Sequence, residues 1–326
     1  MNDSNQSLLS LNHLEVLLNT PREKLREISE NINLHYMPFD THKKGKPKWR
    51  HIDNPDTVLK RIQKKINKYL LTNKSLTLPR EMTGGITGRS IKLNASYHTG
   101  KECVAIVDIN DCFPSISHLK IYKVWTNTFG CSTRIASLLT KLTTFEGRLP
   151  QGAPSSSLLC NFVLLPVFLK IKNLAMMNHL DASIFVDDII ISGSKKNVTH
   201  SIQPIIKLLQ SEGFAISRNK MSIATSGYRQ KGTGIILNKK ISVGRKEINT
   251  IRKFIIDVAK NKDYISSSEI NAINGKINFA NQVSKQQGAK LAIFARKLLV
   301  APVIEASKQK TGESRKCSHI KRNHVY

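Results

Sequence analysis

Apolar and polar positions alternate tightly around residue 187. Ser183-Ile184-Phe185-Val186 runs into Asp187-Asp188, and Ile189-Ile190-Ile191-Ser192 runs out, a pattern that predicts strand, turn and strand. A second β-branched run, Val104-Ala105-Ile106-Val107, ends in Asp108 and leaves through Ile109-Asn110-Asp111-Cys112-Phe113-Pro114. Longer apolar stretches are helical. LLCNFVLLPVFLKI follows Ser155-Ser156-Ser157, hydroxyls suited to capping a helix. From Lys246, IRKFIIDVAKN and SSSEINAINGKINFANQVSK predict two more helices, the second capped by Ser267 with Ile270, Ile273, Ile277 and Phe279 as its apolar face. Near the N-terminus, LNHLEVLL and the start signal Thr20-Pro21-Arg22-Glu23 predict short helices. His42 to Ile52, followed by Asn54-Pro55, predicts a basic hairpin with a Gly/Pro turn.

The carboxylates in this pattern carry chemistry. Adjacent anions at a hairpin tip repel, where a solvated turn would use Asn-Gly or Asp-Gly. Hard divalent cations relieve that conflict and bridge carboxylates to substrate phosphates. Asp187-Asp188 alone reads as an acidic turn, and Asp108 alone as a cap. One carboxylate ending a strand plus two on a neighbouring hairpin is the set that two-metal phosphoryl transfer requires. Between them lies Leu149-Pro150-Gln151-Gly152-Ala153-Pro154-Ser155-Ser156-Ser157, a rigid Gly/Pro turn leading into a helix.

With DINDCFPSI, LPQGAPSSS and FVDD in this order, the chain resembles the reverse transcriptases. The resemblance implies an α+β right-hand polymerase fold: fingers, a palm with an antiparallel sheet, and a helical thumb. It implies that Asp108, Asp187 and Asp188 hold two Mg²⁺ ions, with Mn²⁺ as a substitute, for nucleotidyl transfer. Asp111 would face the triphosphate of the incoming dNTP, Phe113 would lie under the sugar and exclude a 2′-OH, and Gln151 would line the nucleotide pocket. In the fingers, Lys48 or Arg50 would hold template and triphosphate. Arg89, in Gly84-Gly85-Ile86-Thr87-Gly88-Arg89, would stack on a base or pair with phosphate. Lys220, in the loop after Gly213-Phe214, is the candidate general acid for the leaving pyrophosphate. Phe185-Val186 departs from the usual Tyr-Ala before the aspartate pair, and Ser157 from a common proline.

Two further elements resemble the bacterial retron branch. Asn94-Ala95-Ser96-Tyr97-His98 looks like its NAxxH element, and Gly232-Thr233-Gly234 like its VTG element with Gly for Val. In that branch both are associated with recognising the enzyme's own RNA, so Asn94, His98, Thr233 and Gly234 are expected to serve RNA recognition. Read without the family, His98 is a structural histidine and Thr233-Gly234 a bulge or turn. The branch implies a cognate structured noncoding RNA copied in part into DNA, priming from an internal guanosine 2′-OH, and a branched RNA–DNA product. It also implies anti-phage defence with an accessory effector protein. Group II intron enzymes share the palm motifs but usually carry longer N-terminal extensions and maturase or endonuclease domains. The diversity-generating branch departs from QGxP, which is intact here. A non-catalytic RNA-binding scaffold would have no need to hold three carboxylates together.

The expected divisions are an N-terminal helical segment (1–40), fingers (41–103), palm (104–243, with 117–150 partly fingers), thumb (244–305) and a basic tail (306–326). Charge fits a polyanionic partner: 51 Lys and Arg against 23 Asp and Glu give +28 and a pI near 10.0. Ten basic against two acidic residues fall within 41–70, and six against one within 306–326. No unbroken apolar run reaches ~18 residues, so no membrane span is expected, and the polar start MNDSNQ predicts no signal peptide. Five cysteines without CxxC spacing fit reduced thiols in a cytoplasmic protein.

Overall fold

Apolar residues three and four apart build the first two helices, Leu11–Leu18 and Arg22–Glu30, which bury Leu14, Leu18, Leu25 and Ile28. Ser10 caps the first, accepting from the His13 N–H at 3.1 Å. Pro21 directly precedes the second, where its missing N–H costs no hydrogen bond. A hairpin follows, β1 (Tyr36–His42) and β2 (Trp49–Pro55), paired antiparallel from Tyr36 opposite Pro55 to His42 opposite Trp49. The computed structural model describes residues 10–42, 49–75, 77–260 and 265–313, with side chains to residue 299. The turn of this hairpin, including Lys48, therefore lies outside the described residues, as does Cys317.

The chain divides after Thr233 into two units, Met1–Thr233 and Gly234–Tyr326. The first is organised on a four-stranded antiparallel sheet of β3 (Cys103–Asp108), β4 (Asp181–Phe185), β5 (Asp188–Gly193) and β6 (Ser222–Thr225), in the order β4-β5-β3-β6. The central strands β3 and β5 bury almost every residue, which is why they read as unbroken β-branched runs. The outer edge of β4 is closed by residues 81–83: the Ile184 N–H donates to the Glu81 carbonyl at 3.0 Å, and the Thr83 N–H to the Ile184 carbonyl at 2.9 Å.

Packed with this sheet are two long helices, Ser156–Met177 and Lys195–Ser211. By length and composition Ser156–Met177 is apolar enough to cross a membrane, which amends the expectation that no segment would be. Lys170 and Lys172 interrupt its apolar run without lowering the average enough to disqualify it. Over half of that apolar window, 56%, is buried inside the protein. The helix buries Leu159, Leu164, Phe168 and Ile171 at about 1.5–3 kcal/mol each, while Leu169, Met176 and Met177 on it are exposed.

The second unit is helical: Arg245–Lys260, Ser267–Val283 and Lys285–Glu313. It begins ten residues before the expected thumb boundary at 244. The cap of its middle helix is Ser266, one residue earlier than expected. The Ser266 hydroxyl accepts from the Glu269 N–H at 3.2 Å, and the Glu269 carboxylate accepts from the Ser266 N–H at 2.9 Å. Of the expected apolar face only Ile273 is buried, while Ile270 is 44% exposed. The core of this unit instead joins Ile251, Ile255 and Val258 with Ile273, Ala280, Val283, Leu291 and Ala295. Gln287 ties the helices to the preceding segment, accepting from the Val243 N–H at 2.8 Å and donating to its carbonyl at 3.0 Å.

Candidate active site

Strand register brings the three aspartates to one end of the sheet. Asp108, the last residue of β3, stands directly opposite Asp188, the first of β5, a pairing that sets β-carbons about 4.5–5.5 Å apart. Asp187 precedes it in the turn, its carbonyl accepting from the Ile109 N–H at 3.1 Å. The turn is tight: Val186 has φ +61°, a left-handed conformation that a β-branched residue seldom adopts. Gly84 presses on it from behind. A β-carbon at Gly84 would stand 2.4 Å from the Val186 nitrogen. Asn161 holds that glycine in place, its Nδ2 donating to the Gly84 carbonyl at 2.7 Å.

Like charges this close raise the cost of ionisation. Burial, then the charges of Asp187 and Asp108 and a hydrogen bond with Asp108, push the Asp188 carboxyl up to about 7. Burial and the charge of Asp108 push Asp187 upward too. Among the described residues the one cation in hydrogen-bond contact is Lys220, whose Nζ lies 2.6 Å from Asp108 Oδ1. That contact raises the Lys220 pKa, with the other two aspartates adding to the effect. Lys220 is held there because the Ser217 N–H donates to the Asp108 carbonyl at 2.9 Å, pinning the loop beside β3. Among the described residues no group of three or more acidic, His or Cys side chains already converges as a metal cage. The donor set nonetheless fits hard cations: acidic oxygens, raised carboxyl pKa values, and an ammonium resting where positive charge is needed.

Two of the nucleotide-pocket candidates, Asp111 and Phe113, follow directly on Asp108 in the chain. Asp111 is exposed, with φ +43°, and Phe113 beside it is half-buried. Arg50 is exposed on β2, and its charge reaches Asp187. Gln151 is fixed through its main chain: its N–H donates to Asp53 Oδ2 at 2.8 Å, and its carbonyl accepts from the Asp53 N–H at 2.9 Å. A further residue pair completes this contact. Asp53, fully buried, takes a two-pronged hydrogen bond from Arg148 at 2.8 and 3.1 Å. Burial alone would raise the Asp53 pKa, but the Arg148 hydrogen bonds and the Gln151 N–H outweigh it and hold the carboxyl low. Sequence reasoning missed this pair. Its signal was that Asp53 and Asp56 are the only acids within the basic stretch 41–70.

Three residues expected to contact nucleic acid spend their polar groups inside the protein. Arg89 spends its guanidinium on the main chain, donating to the carbonyls of Pro79, of Leu78 at 2.8 Å and of Met82 at 2.8 Å. It clamps the 78–89 loop rather than stacking on a base. Asn94 and His98 are fully buried and hydrogen-bonded to Thr83, Ser183 and Ser192, so neither offers a surface to RNA. Thr233, with φ +47°, and Gly234, with φ +92°, occupy the turn geometry expected of that pair, and Thr233 is half-buried. They fall where the two units meet in sequence.

The pattern of the reverse transcriptase (RNA-dependent DNA polymerase) family matches residues 41–272, which include all three aspartates. The chain belongs to the reverse transcriptase family. It is an RNA-directed DNA polymerase, and its α+β right-hand fold follows. It sides with the bacterial retron branch. It is similar to the retron Ec86 reverse transcriptase of Escherichia coli, with 29% identity over 85% of each chain. It is also similar to the retron Se72 enzyme of Salmonella heidelberg, at 31% over 61% of this chain and 52% of the relative. A third relative, the retron Mx65 enzyme of Myxococcus xanthus, is 25% identical over 84% of this chain and 66% of its own.

Proposed function

We propose that this enzyme copies part of a cognate structured noncoding RNA into DNA at the Asp108, Asp187 and Asp188 centre, by two-metal nucleotidyl transfer from dNTPs. One observation carries the reading: strand register sets Asp108 opposite Asp188, with Asp187 adjacent. Two divalent ions, Mg²⁺ or Mn²⁺ in its place, would be held by these three carboxylates. Bound there, they would activate the attacking hydroxyl and neutralise the leaving pyrophosphate. Lys220 supplies the third element. Its ammonium balances Asp108 in the resting enzyme; released from it, the same side chain is placed to give its proton to the pyrophosphate oxygen. Arg50, with Lys48 two positions before it in the sequence, draws the triphosphate towards Asp187. Asp111 and the backbone after Asp108 face its phosphates. Phe113 lies under the sugar and rejects a 2′-OH, and Gln151 lines the base side, positioned by Asp53 and Arg148.

The branch supports the finer statements. Priming from the 2′-OH of an internal guanosine would leave RNA and DNA joined, and the product would serve anti-phage defence in the cytoplasm with an accessory effector. Thr233 and Gly234, in their turn, remain the candidates for reading the cognate RNA. The test is the nucleic acid that co-purifies with the protein expressed from its native locus, compared with an Asp187→Asn/Asp188→Asn variant on a denaturing gel. A discrete DNA that shortens with RNase, survives it, and is missing from the variant is the expected result. RNA alone in both samples overturns the reading.

A further inference from the structure

Behind the aspartate turn lies a closed chain of buried polar groups that nucleotidyl transfer does not use. Thr83, Asn94, His98, Ser183 and Ser192 are all 0–1% exposed. Asn94 Nδ2 donates to Thr83 Oγ1 at 2.9 Å and to Ser183 Oγ at 2.7 Å. His98 continues the chain, Nε2 standing 2.7 Å from Ser183 Oγ and Nδ1 2.8 Å from Ser192 Oγ. Thr83 closes it onto the strand, its hydroxyl donating to the Ile184 carbonyl at 3.1 Å.

The placement is specific. Ser183 lies on β4 four residues before Asp187, and Ser192 on β5 four residues after Asp188. Asp181 pairs with Ser192 and Ser183 with Ile190, so both serines project from the same sheet face as diagonal neighbours. One imidazole thus spans both arms of the hairpin that carries the aspartate pair. The chain carries its protons in one direction without charge, and leaves the buried Asn94 Oδ1 without a partner. Asn94 gives a proton to Ser183, Ser183 gives its own to His98 Nε2, and His98 Nδ1–H gives to Ser192. Burial, which drives the His98 pKa down to about 4, keeps the ring in that neutral form. The same segment continues into Gly84, which presses on the left-handed Val186 turn. A strained turn persists only where its surroundings over-determine it.

We propose that Asn94 and His98 are positioning residues: with Thr83, Ser183 and Ser192 they lock both arms of the hairpin to the 83–98 segment and thereby aim Asp187 and Asp188. This rests on the reading of those aspartates as the catalytic centre. The NAxxH spacing then has a mechanical origin, because Asn94 in the helix Ile91–Ser96 and His98 in the turn that follows it address one strand pair.

The test is pre-steady-state incorporation of one nucleotide by the full chain, on the cognate RNA and on a generic DNA primer annealed to an RNA template. The variants are His98→Ala, Ser183→Ala and the conservative His98→Gln, whose amide can meet Ser183. Misplacement of catalytic groups by a fraction of an ångström lowers the incorporation rate about 10- to 100-fold. His98→Ala and Ser183→Ala should show that loss by the same factor on both substrates. The dNTP KM and the burst amplitude, which counts active molecules, should stay within about twofold, and His98→Gln should recover part of the rate. Loss confined to the cognate RNA, loss confined to burst amplitude, or an unchanged rate each overturns the inference. Asp188→Asn is run beside them. If it keeps incorporating nucleotides, the catalytic reading itself fails, whatever His98 does.

Discussion

Removing Arg148 should loosen the nucleotide pocket by stranding a buried charge. Asp53 has no exposed surface, and its partners are two Arg148 nitrogens at 2.8 and 3.1 Å, the Gln151 N–H at 2.8 Å and a half-exposed His51 nitrogen at 3.4 Å. Breaking a buried pair by deleting one partner costs about 3–5 kcal/mol. Arg148 is 22% exposed, and water can enter after it, so the low end applies, about 3 kcal/mol. In a domain of this size each kcal/mol moves the melting temperature by about 2–4 °C, which puts Arg148→Ala roughly 6–12 °C below wild type. The sign of the pH dependence follows. Asp53 has a folded pKa below its unfolded value of about 3.9, so the stabilisation is complete above about pH 4 and fades as pH falls through the folded value. The assay is thermal unfolding of wild type, Arg148→Ala, Asp53→Asn and the double variant, from about pH 3 to 8. A coupling energy of at least about 1.5 kcal/mol, shrinking below about pH 4, is expected. The dNTP KM should rise in Arg148→Ala because the Gln151 loop loses its anchor. Coupling near zero, or a melting point within a degree of wild type, would refute the reasoning.

Three further outcomes are expected. Phe113→Ala should admit ribonucleotides, read as a fall of ~10-fold or more in the preference for dNTPs over rNTPs in single-nucleotide incorporation; unchanged discrimination removes Phe113 from the sugar gate. Gly84→Ala should destabilise the first unit by about 1–3 kcal/mol and lower the incorporation rate, since its β-carbon would stand 2.4 Å from the Val186 nitrogen; wild-type melting and rate would show that the turn yields freely. Asp188→Asn should abolish DNA synthesis yet raise the melting temperature of the metal-free protein by a few degrees, because it removes one of three crowded like charges; a lower melting temperature would show that the carboxylates do not strain the fold.

Much of the candidate site was legible because it is written in local patterns. Asp108 and the Asp187-Asp188 pair end or begin β-branched runs, and period-2 alternation assigns them to strand ends without any knowledge of partners. Lys220, expected from its motif, stands beside the end of β3, whereas Gln151 is fixed to Asp53 on β2. The helices of the second unit were legible from periodicity, although which apolar residues face inward was not: Ile270 lies out and Ala280 lies in.

What the sequence by itself determined is therefore which carboxylates are the candidates for catalysis, their order along the chain and, by resemblance, the family to which the enzyme belongs. The carboxylate positions follow from backbone alternation along strand and turn, and the family from the resemblance of three motifs. Only the tertiary structure decided what the buried polar residues do. Asp53 and Arg148 are 95 residues apart, His98 and Ser192 94, Asn94 and Ser183 89. A polar side chain carries no mark of its partner in the sequence, because desolvation obliges it only to find one. Which one is settled when strands and loops close together. Arg89 looked like a hand for phosphate and proved to be a clamp on three carbonyls. Asn94 and His98 were expected to read RNA, and the fold buries both in hydrogen bonds to Thr83, Ser183 and Ser192.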